Sequence, residues 1–317
     1  MAFNLKNFFR ILRFCIAITI IVFLYLYLRK DIPNILSNLQ NINLMWLGVS
    51  VIFGILSYLL QGLNSHIILR GLGENVVLKD TLRAWFYSLM ARYIPGKVFH
   101  LFNRVSWFIV NEKSISKKIV GVSYYYENLI GLILSLIFGG CYAVYMGLIK
   151  DQNNWWTLPI IITVLLIVSV FFLHPVIVSG VLNFILKIFK KEPVTVALNQ
   201  KDTLLAFFIY SSSLIVYGIS FYLFIYSIHP VKWYNIFIFL GIFSLYSILN
   251  LIAFFTPNGI GVGEFSLIFL LKQILPDDTA ATVTVSIRLL IMIIELFSVF
   301  LIWLWDTIFL SKQNKRQ

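Results

Sequence analysis

The chain has 317 residues, 60% of them hydrophobic and 12% charged, with a mean hydropathy of +0.90, which is more apolar surface than a soluble fold of that length buries. A net charge of +12 suggests nucleic acid on a soluble protein, but here the basic residues lie in loops and at the ends of apolar runs, so no nucleic-acid partner is expected. Cys15 and Cys141 sit inside apolar runs without a CxxC or Cys/His cluster, which gives no support to a disulfide framework, a metal site or another cofactor.

Apolar runs long enough to cross a hydrocarbon core of about 30 Å recur along the chain. They predict an all-α, polytopic membrane helical bundle of about seven or eight transmembrane helices with one or two re-entrant hairpins. Lys6, Arg10 and Arg13 precede or enter the run 11–28, placing the amino terminus in the cytoplasm by the positive-inside rule. No small-residue cleavage pattern follows that run, so it is expected to be a retained first span. Residues 45–63 return across the membrane. The segment 64–118 is the largest polar stretch, with nine Lys or Arg (positions 70, 79, 83, 92, 97, 104, 113, 117 and 118) against Glu74, Asp80 and Glu112. Within it, 81–91 and 98–110 are too short for ordinary spans and too apolar for a soluble loop, which fits a re-entrant or interfacial helical pair.

Residues 119–149 form a long apolar run with one charge, Glu127, followed at steps of four by Gly131, Ser135 and Gly139. That small-residue stripe marks a helix contact, so Glu127 is expected to face a neighbouring helix or a cavity rather than lipid. Residues 157–173 form a further span, and 177–189, ahead of Lys190 and Lys191, read as an amphipathic surface helix. Spans at 203–228 and 233–255 follow. Residues 262–275 make only about 21 Å of helix, short for a crossing, and are either re-entrant or tilted. The last span, 280–310, carries Arg288 and, seven residues on and hence on nearly the same face, Glu295.

Two turns divide this scaffold. In ARYIPGKVFHLFNR, Pro95-Gly96 is a chain reversal, and the helix that follows places Lys97, His100 and Arg104 on roughly one face as a seat for an anion. In TPNGIGVGEF, Pro257, Gly259 and Gly261 precede a second short helix headed by Glu264. Each turn is followed about 30 residues later by an intramembrane charge, Glu127 or Arg288, a correspondence expected of a repeated transporter architecture with halves 1–173 and 174–317.

ARYIPGKVFHLFNRV resembles the first signature of the lysylphosphatidylglycerol synthase transmembrane region, a flippase-like family, and TPNGIGVGE resembles the second. The resemblance covers essentially the whole chain and carries over Arg92, Tyr93, Pro95, Gly96, Lys97, Arg104, Pro257, Gly259, Gly261 and Glu264. Gly263 departs from it, standing where the family often has arginine. The resemblance implies a bacterial or archaeal cytoplasmic-membrane domain that moves lipid between leaflets. The soluble aminoacyl-transferase part of the fused members is not expected here, and the chain is read as leaning away from an enzyme.

The expected substrate-binding set is Arg92, Tyr93, Lys97, His100, Arg104, Glu127, Glu264, Arg288 and Glu295, with no catalytic group. Anchoring by snorkelling to headgroups is the other role open to the basic residues, and packing or interhelical pairing the other role for His100 and the intramembrane charges. The expected partners are membrane lipids, with an anionic phospholipid or a polyprenyl-phosphate-linked glycan translocated through a charged cavity. The alternatives are an integral-membrane transferase acting on headgroups and a non-catalytic partner of a glycosyltransferase.

Overall fold

The computed structural model describes residues 40–93, 98–111, 115–150, 175–188, 198–252 and 262–313, besides a few isolated positions. Its regular elements are helices: α1 (Leu44–Gly71), α2 (Leu78–Leu89), a 3-10 turn (Met90–Tyr93), α3 (Val98–Asn111), α4 (Lys117–Lys150), α5 (Pro175–Ile188), α6 (Gln200–Ile228), α7 (Asn235–Ile252), α8 (Val262–Leu271) and α9 (Asp277–Gln313). Among the described residues, α1, α4, α6, α7 and α9 are long and apolar enough to cross a membrane. The expected spans 11–28 and 157–173 lie outside the described residues, which puts the count here below seven or eight.

The centre is the antiparallel pair α1 and α6, whose starts are fixed by asparagine caps. Asn43 Oδ1 accepts from the amides of Met45 and Trp46, and Asn199 Oδ1 accepts from that of Asp202. Between the two helices runs a polar seam. Ser50 Oγ donates to the Ser220 carbonyl at 2.8 Å and Ser220 Oγ returns a bond to the Ser50 carbonyl at 2.7 Å. One heptad along, Ser57 and Ser213 repeat the exchange at 3.0 and 3.1 Å, and at the other end the Asn43 amide donates to the Ser227 carbonyl at 2.8 Å. Apolar side chains gain nothing by leaving lipid for another helix, so association in a bilayer depends on close backbone approach and interhelical hydrogen bonds. Serine supplies both, and all four seam serines are buried.

Around this pair the remaining elements follow the same order twice. A long helix leads through two shorter ones to a second long helix, as α1, α2, α3, α4 and again as α6, α7, α8, α9. The two sets interlock: α4 packs on α7, and α9 packs on α1 and α2. Glycines allow the closest approaches. A Cβ on Gly241 of α7 would stand 2.2 Å from Tyr142 Cβ and 3.1 Å from the Phe138 carbonyl on α4. One on Gly139 of α4 would meet Leu245 at 2.6 Å, so the predicted stripe is a helix contact.

Three boundaries differ from the sequence reading. Residues 64–71 continue α1 instead of opening a polar segment, because Asn64 and Ser65 are buried against neighbouring helices. The pair predicted at 81–91 and 98–110 forms as α2 and α3, with Trp85, Phe86, Leu89 and Phe108 in the core, so it is built into the bundle. The helix expected over 262–275 stops at Leu271, after which turns lead to Asp277.

Gly241→Val is expected to lower the melting temperature in detergent by several degrees, since overpacking costs about 1–3 kcal/mol and the backbone at Phe138 cannot step aside. Gly48→Ala, where a Cβ meets nothing within 4 Å, should leave it unchanged; equal melting points for the two variants would contradict the packing described.

Candidate functional site

A cavity of about 300 Å³ opens between α1, α2, α3, α4, α6, α7 and α9. One side is built from α3 and α4. Helical spacing sets His100 and Arg104 a turn apart on α3, both buried, Arg104 to 1% exposure. Arg104 Nη1 donates to Glu127 Oε1 at 2.7 Å and Oε2 at 2.8 Å, and reaches Ser65 Oγ at 3.4 Å. Ser123 Oγ adds a bond to Glu127 Oε1 from one turn below on α4. The guanidinium stands 5.5 Å from the centre of the Tyr124 ring. All of this engages one guanidinium nitrogen: Nε and Nη2 are buried without a hydrogen-bond partner among the described residues. His100 Nε2 shares a hydrogen bond with Ser88 Oγ at 3.0 Å, and its ring lies against Tyr124.

The opposite side is aromatic. Tyr58 donates its hydroxyl proton to Glu295 Oε1 at 3.1 Å, and both side chains line the cavity. The Tyr58 ring meets Trp85 edge-on at 5.7 Å and stacks near Tyr217 at 6.1 Å. Tyr217 stacks on Phe243 at 4.3 Å, and Phe243 touches Tyr246. Glu295 thus sits at the edge of a continuous array of rings.

Arg288 and Glu264 form their own ion pair, Nε to Oε1, between α9 and α8. The pair is not part of the described cavity lining; Gly263, next to Glu264, packs its backbone on Tyr246 and Asn250, which are. A Cβ on Gly263 would fall 2.4 Å from Asn250 Oδ1 and 3.0 Å from Tyr246 Cε2. The residue that departs from the family signature is therefore one whose lack of a side chain lets two cavity-lining groups approach.

Of the residues singled out in the sequence, His100, Arg104, Glu127 and Glu295 come together around the cavity. Arg288 and Glu295, expected on nearly one face, engage different neighbours, α8 and α1, because seven residues along α9 carry them to different levels of the bundle. The backbone of Arg92 and Tyr93 forms the 3-10 turn, but their side chains lie outside the described part. Pro95, Gly96, Lys97, Pro257, Gly259 and Gly261 also lie outside the described residues. The sequence reading missed Tyr58, Gln61, Trp85 and Tyr124, which line the cavity. The signal available for Gln61 was its place among polar neighbours, Gln61, Asn64, Ser65 and His66, within an otherwise apolar run.

No curated protein matches the chain. A family match, described as the lysylphosphatidylglycerol synthase TM region, extends over residues 11–298 and takes in every described residue of the cavity and both of these ion pairs. With nine-tenths of its length matched, charged groups held inside an apolar bundle and both turn signatures in place, this chain belongs to the lysylphosphatidylglycerol synthase TM region family, a family of integral-membrane domains tied to lipid handling.

Proposed function

We infer that this protein moves a phospholipid or a lipid-linked glycan between leaflets, the headgroup passing through the charged cavity while the acyl or prenyl chains stay in lipid. The observation that carries this is the Arg104 guanidinium, buried to 1% exposure at a cavity wall, bound through one nitrogen and offering two more. A charge at bilayer depth is expensive, and one aimed at a cavity is the pattern of a substrate path. The interlocked order of the two four-helix sets supports the same reading, because transporters built from two related halves bind substrate where the halves meet. Membership in a lipid-handling family gives the class of cargo.

Mechanistically, Glu127 holds the guanidinium in place and Arg104 attracts a phosphate to its open edge. The aromatic array covers the headgroup on the other side and excludes water. Lys97, which directly precedes α3 in the sequence, is assigned to guiding the anion toward Arg104.

In vesicles reconstituted with labelled phospholipid, Glu127→Gln should insert normally and lower leaflet exchange by about ten-fold or more, the value of a charge-assisted hydrogen bond. Arg104→Lys, which keeps the charge but loses the planar fork, should fall by a similar factor. Exchange undiminished in both variants and in Lys97→Ala would sink the cavity route. If the protein instead served to hold a glycosyltransferase at the membrane, these variants would remain functional and neutralising the exposed Lys187 with Lys190 and Lys191 would not.

A further inference from the structure

We propose that the cavity opens sideways into the bilayer between the middle of α4 and the C-terminal half of α7, and that this mouth seats the hydrocarbon chain of a membrane lipid whose phosphate stands on Arg104. Asn128 is the threshold residue that receives the headgroup as it enters. This deepens the translocation reading, on which it rests for the class of cargo, by naming the way in.

The mouth is marked by the lining residues that reach the surface. Of the described lining, Asn128 on α4 and Leu251 on α7 are exposed, Leu251 to 38%, and Leu132 and Ile248 beside them are partly so. Tyr58, Arg104, Glu127 and Tyr217, deeper in, are buried. Elsewhere the same two helices are shut. A Cβ on Gly139 would stand 2.6 Å from Leu245 Cδ2 and one on Gly241 2.2 Å from Tyr142 Cβ, so α4 and α7 run antiparallel in close contact there. About two turns further along, that register sets Leu132 opposite Leu251, yet both line the cavity and both reach the surface. The helices therefore part toward this end. By contrast α4 and α6 close where Gly131 meets Tyr210, and α1 and α6 close along the serine bonds.

What lies outside such a mouth is hydrocarbon. Asn128, Leu132 and Ser135 occupy the middle third of α4, a helix long and apolar enough to span, so the opening stands at bilayer depth and not at a water-facing end. Leu132, Ile248 and Leu251 give the rim an apolar surface continuous with the surrounding lipid. The cavity itself, about 300 Å³, is at the small end of ligand sites. It takes a headgroup and leaves the chains no room, and the rim is where they pass out.

Asn128 is the polar member of that rim. An amide exposed at this depth is costly and marks a substrate path. Its Nδ2 donates to the Tyr124 carbonyl at 2.7 Å, while its Oδ1 accepts no hydrogen bond among the described residues. Asn128 follows Glu127 in the chain, about 100° around the helix, so Glu127 holds Arg104 inside while Asn128 stands at the opening. Tyr124, one turn back, touches both: its carbonyl meets Asn128 and its ring centre lies 5.5 Å from the Arg104 guanidinium. Nε and Nη2 of Arg104, unmet among the described residues, form the edge that binds two phosphate oxygens in parallel. A phosphate held there is a short step inside the threshold, within reach of a chain lying on the rim.

Site-specific photocrosslinking of the full-length protein in vesicles tests this. Benzoylphenylalanine is placed at Leu251 or, as the measure of ordinary bilayer lipid, at Phe297 on α9, which is 48% exposed and outside the described lining. Each preparation is irradiated with alkyne-tagged phosphatidylglycerol or with alkyne-tagged diacylglycerol, which has the same chains without the phosphate. Position 251 should capture the phospholipid about ten-fold over diacylglycerol, as a charge-assisted contact predicts, and position 297 should take the two equally. Arg104→Lys should remove the difference at 251; the comparison of the two positions stands even where that variant fails to fold. Glycerol phosphate at the same concentration, an anion without a chain, should leave capture at 251 unchanged. Equal capture of the two lipids at 251, an equal phospholipid preference at 297, or loss of capture to glycerol phosphate would each overturn the mouth. Asn128→Leu, at an exposed position, should keep the melting temperature and slow leaflet exchange about five-fold, the value of one hydrogen bond, with Asn128→Gln restoring the rate. Undiminished exchange in Asn128→Leu would remove that residue from the threshold. Phosphate-dependent capture at 251 in a protein that exchanges no lipid would leave the mouth in place and remove the translocation reading; exchange without that capture would do the reverse.

Discussion

Taking an arginine or a carboxylate out of water costs several kcal/mol even after the surroundings relax, and in a bilayer a well-placed opposite charge offsets much of that cost. Here the same solution occurs twice. Arg104 on the short helix α3 is answered by Glu127, 23 positions later on the long helix α4. Glu264 on the short helix α8 is answered by Arg288, 24 positions later on the long helix α9. The sign is reversed between the two pairs. Each ties a short helix to the span that follows it, and removing one partner from the first would leave a buried charge, a change of about 3–5 kcal/mol.

The two pairs nevertheless have different surroundings. Arg104 and Glu127 face the cavity, where two guanidinium donors are left over. Arg288 and Glu264 do not belong to the described lining, and their bond ties α9 to α8 beside Gly263, whose backbone packs on Tyr246 and Asn250. An ion pair at the cavity wall and one outside its described lining thus use the same residue types. Their packing differs: next to the second pair the backbone of Gly263 lies against Asn250 and Tyr246, whereas the first pair lines the cavity.

The serine seam explains how such a cavity survives beside a rigid contact. Reciprocal hydroxyl-to-carbonyl bonds hold α1 and α6 at close approach without large side chains, so the bulky rings of Tyr58 and Tyr217 on these same helices are directed to the side, where they line the cavity. Asn64 continues the heptad of Ser50 and Ser57 and lies across from the Ala206 end of α6, fully buried. Its amide has no hydrogen-bond partner among the described residues.

Much of this was legible in the amino-acid order. Hydropathy and length alone determine that the chain is a helical membrane protein, because its long continuous apolar runs suit spanning helices, whereas barrel strands are short and alternate apolar with polar residues. The Pro-Gly turn and the helical spacing behind it mark His100 and Arg104, and the small-residue stripe marks the contact face that Glu127 shares. The heptad of Ser50 and Ser57 against Ser213 and Ser220 was there to be read as well, but serines spaced by seven gain meaning only once two such runs are known to be antiparallel neighbours. Tertiary structure alone decided which charge meets which, since the apolar segments offered Arg104 the carboxylates of Glu127, Glu264 and Glu295, and helix periodicity gives direction, not distance. It alone gathered Tyr58, Trp85, Tyr217 and Phe243 from four helices into one wall. Aromatic residues in an apolar sequence carry no local mark of whether they will face lipid, core or cavity; that depends on the neighbours the fold supplies.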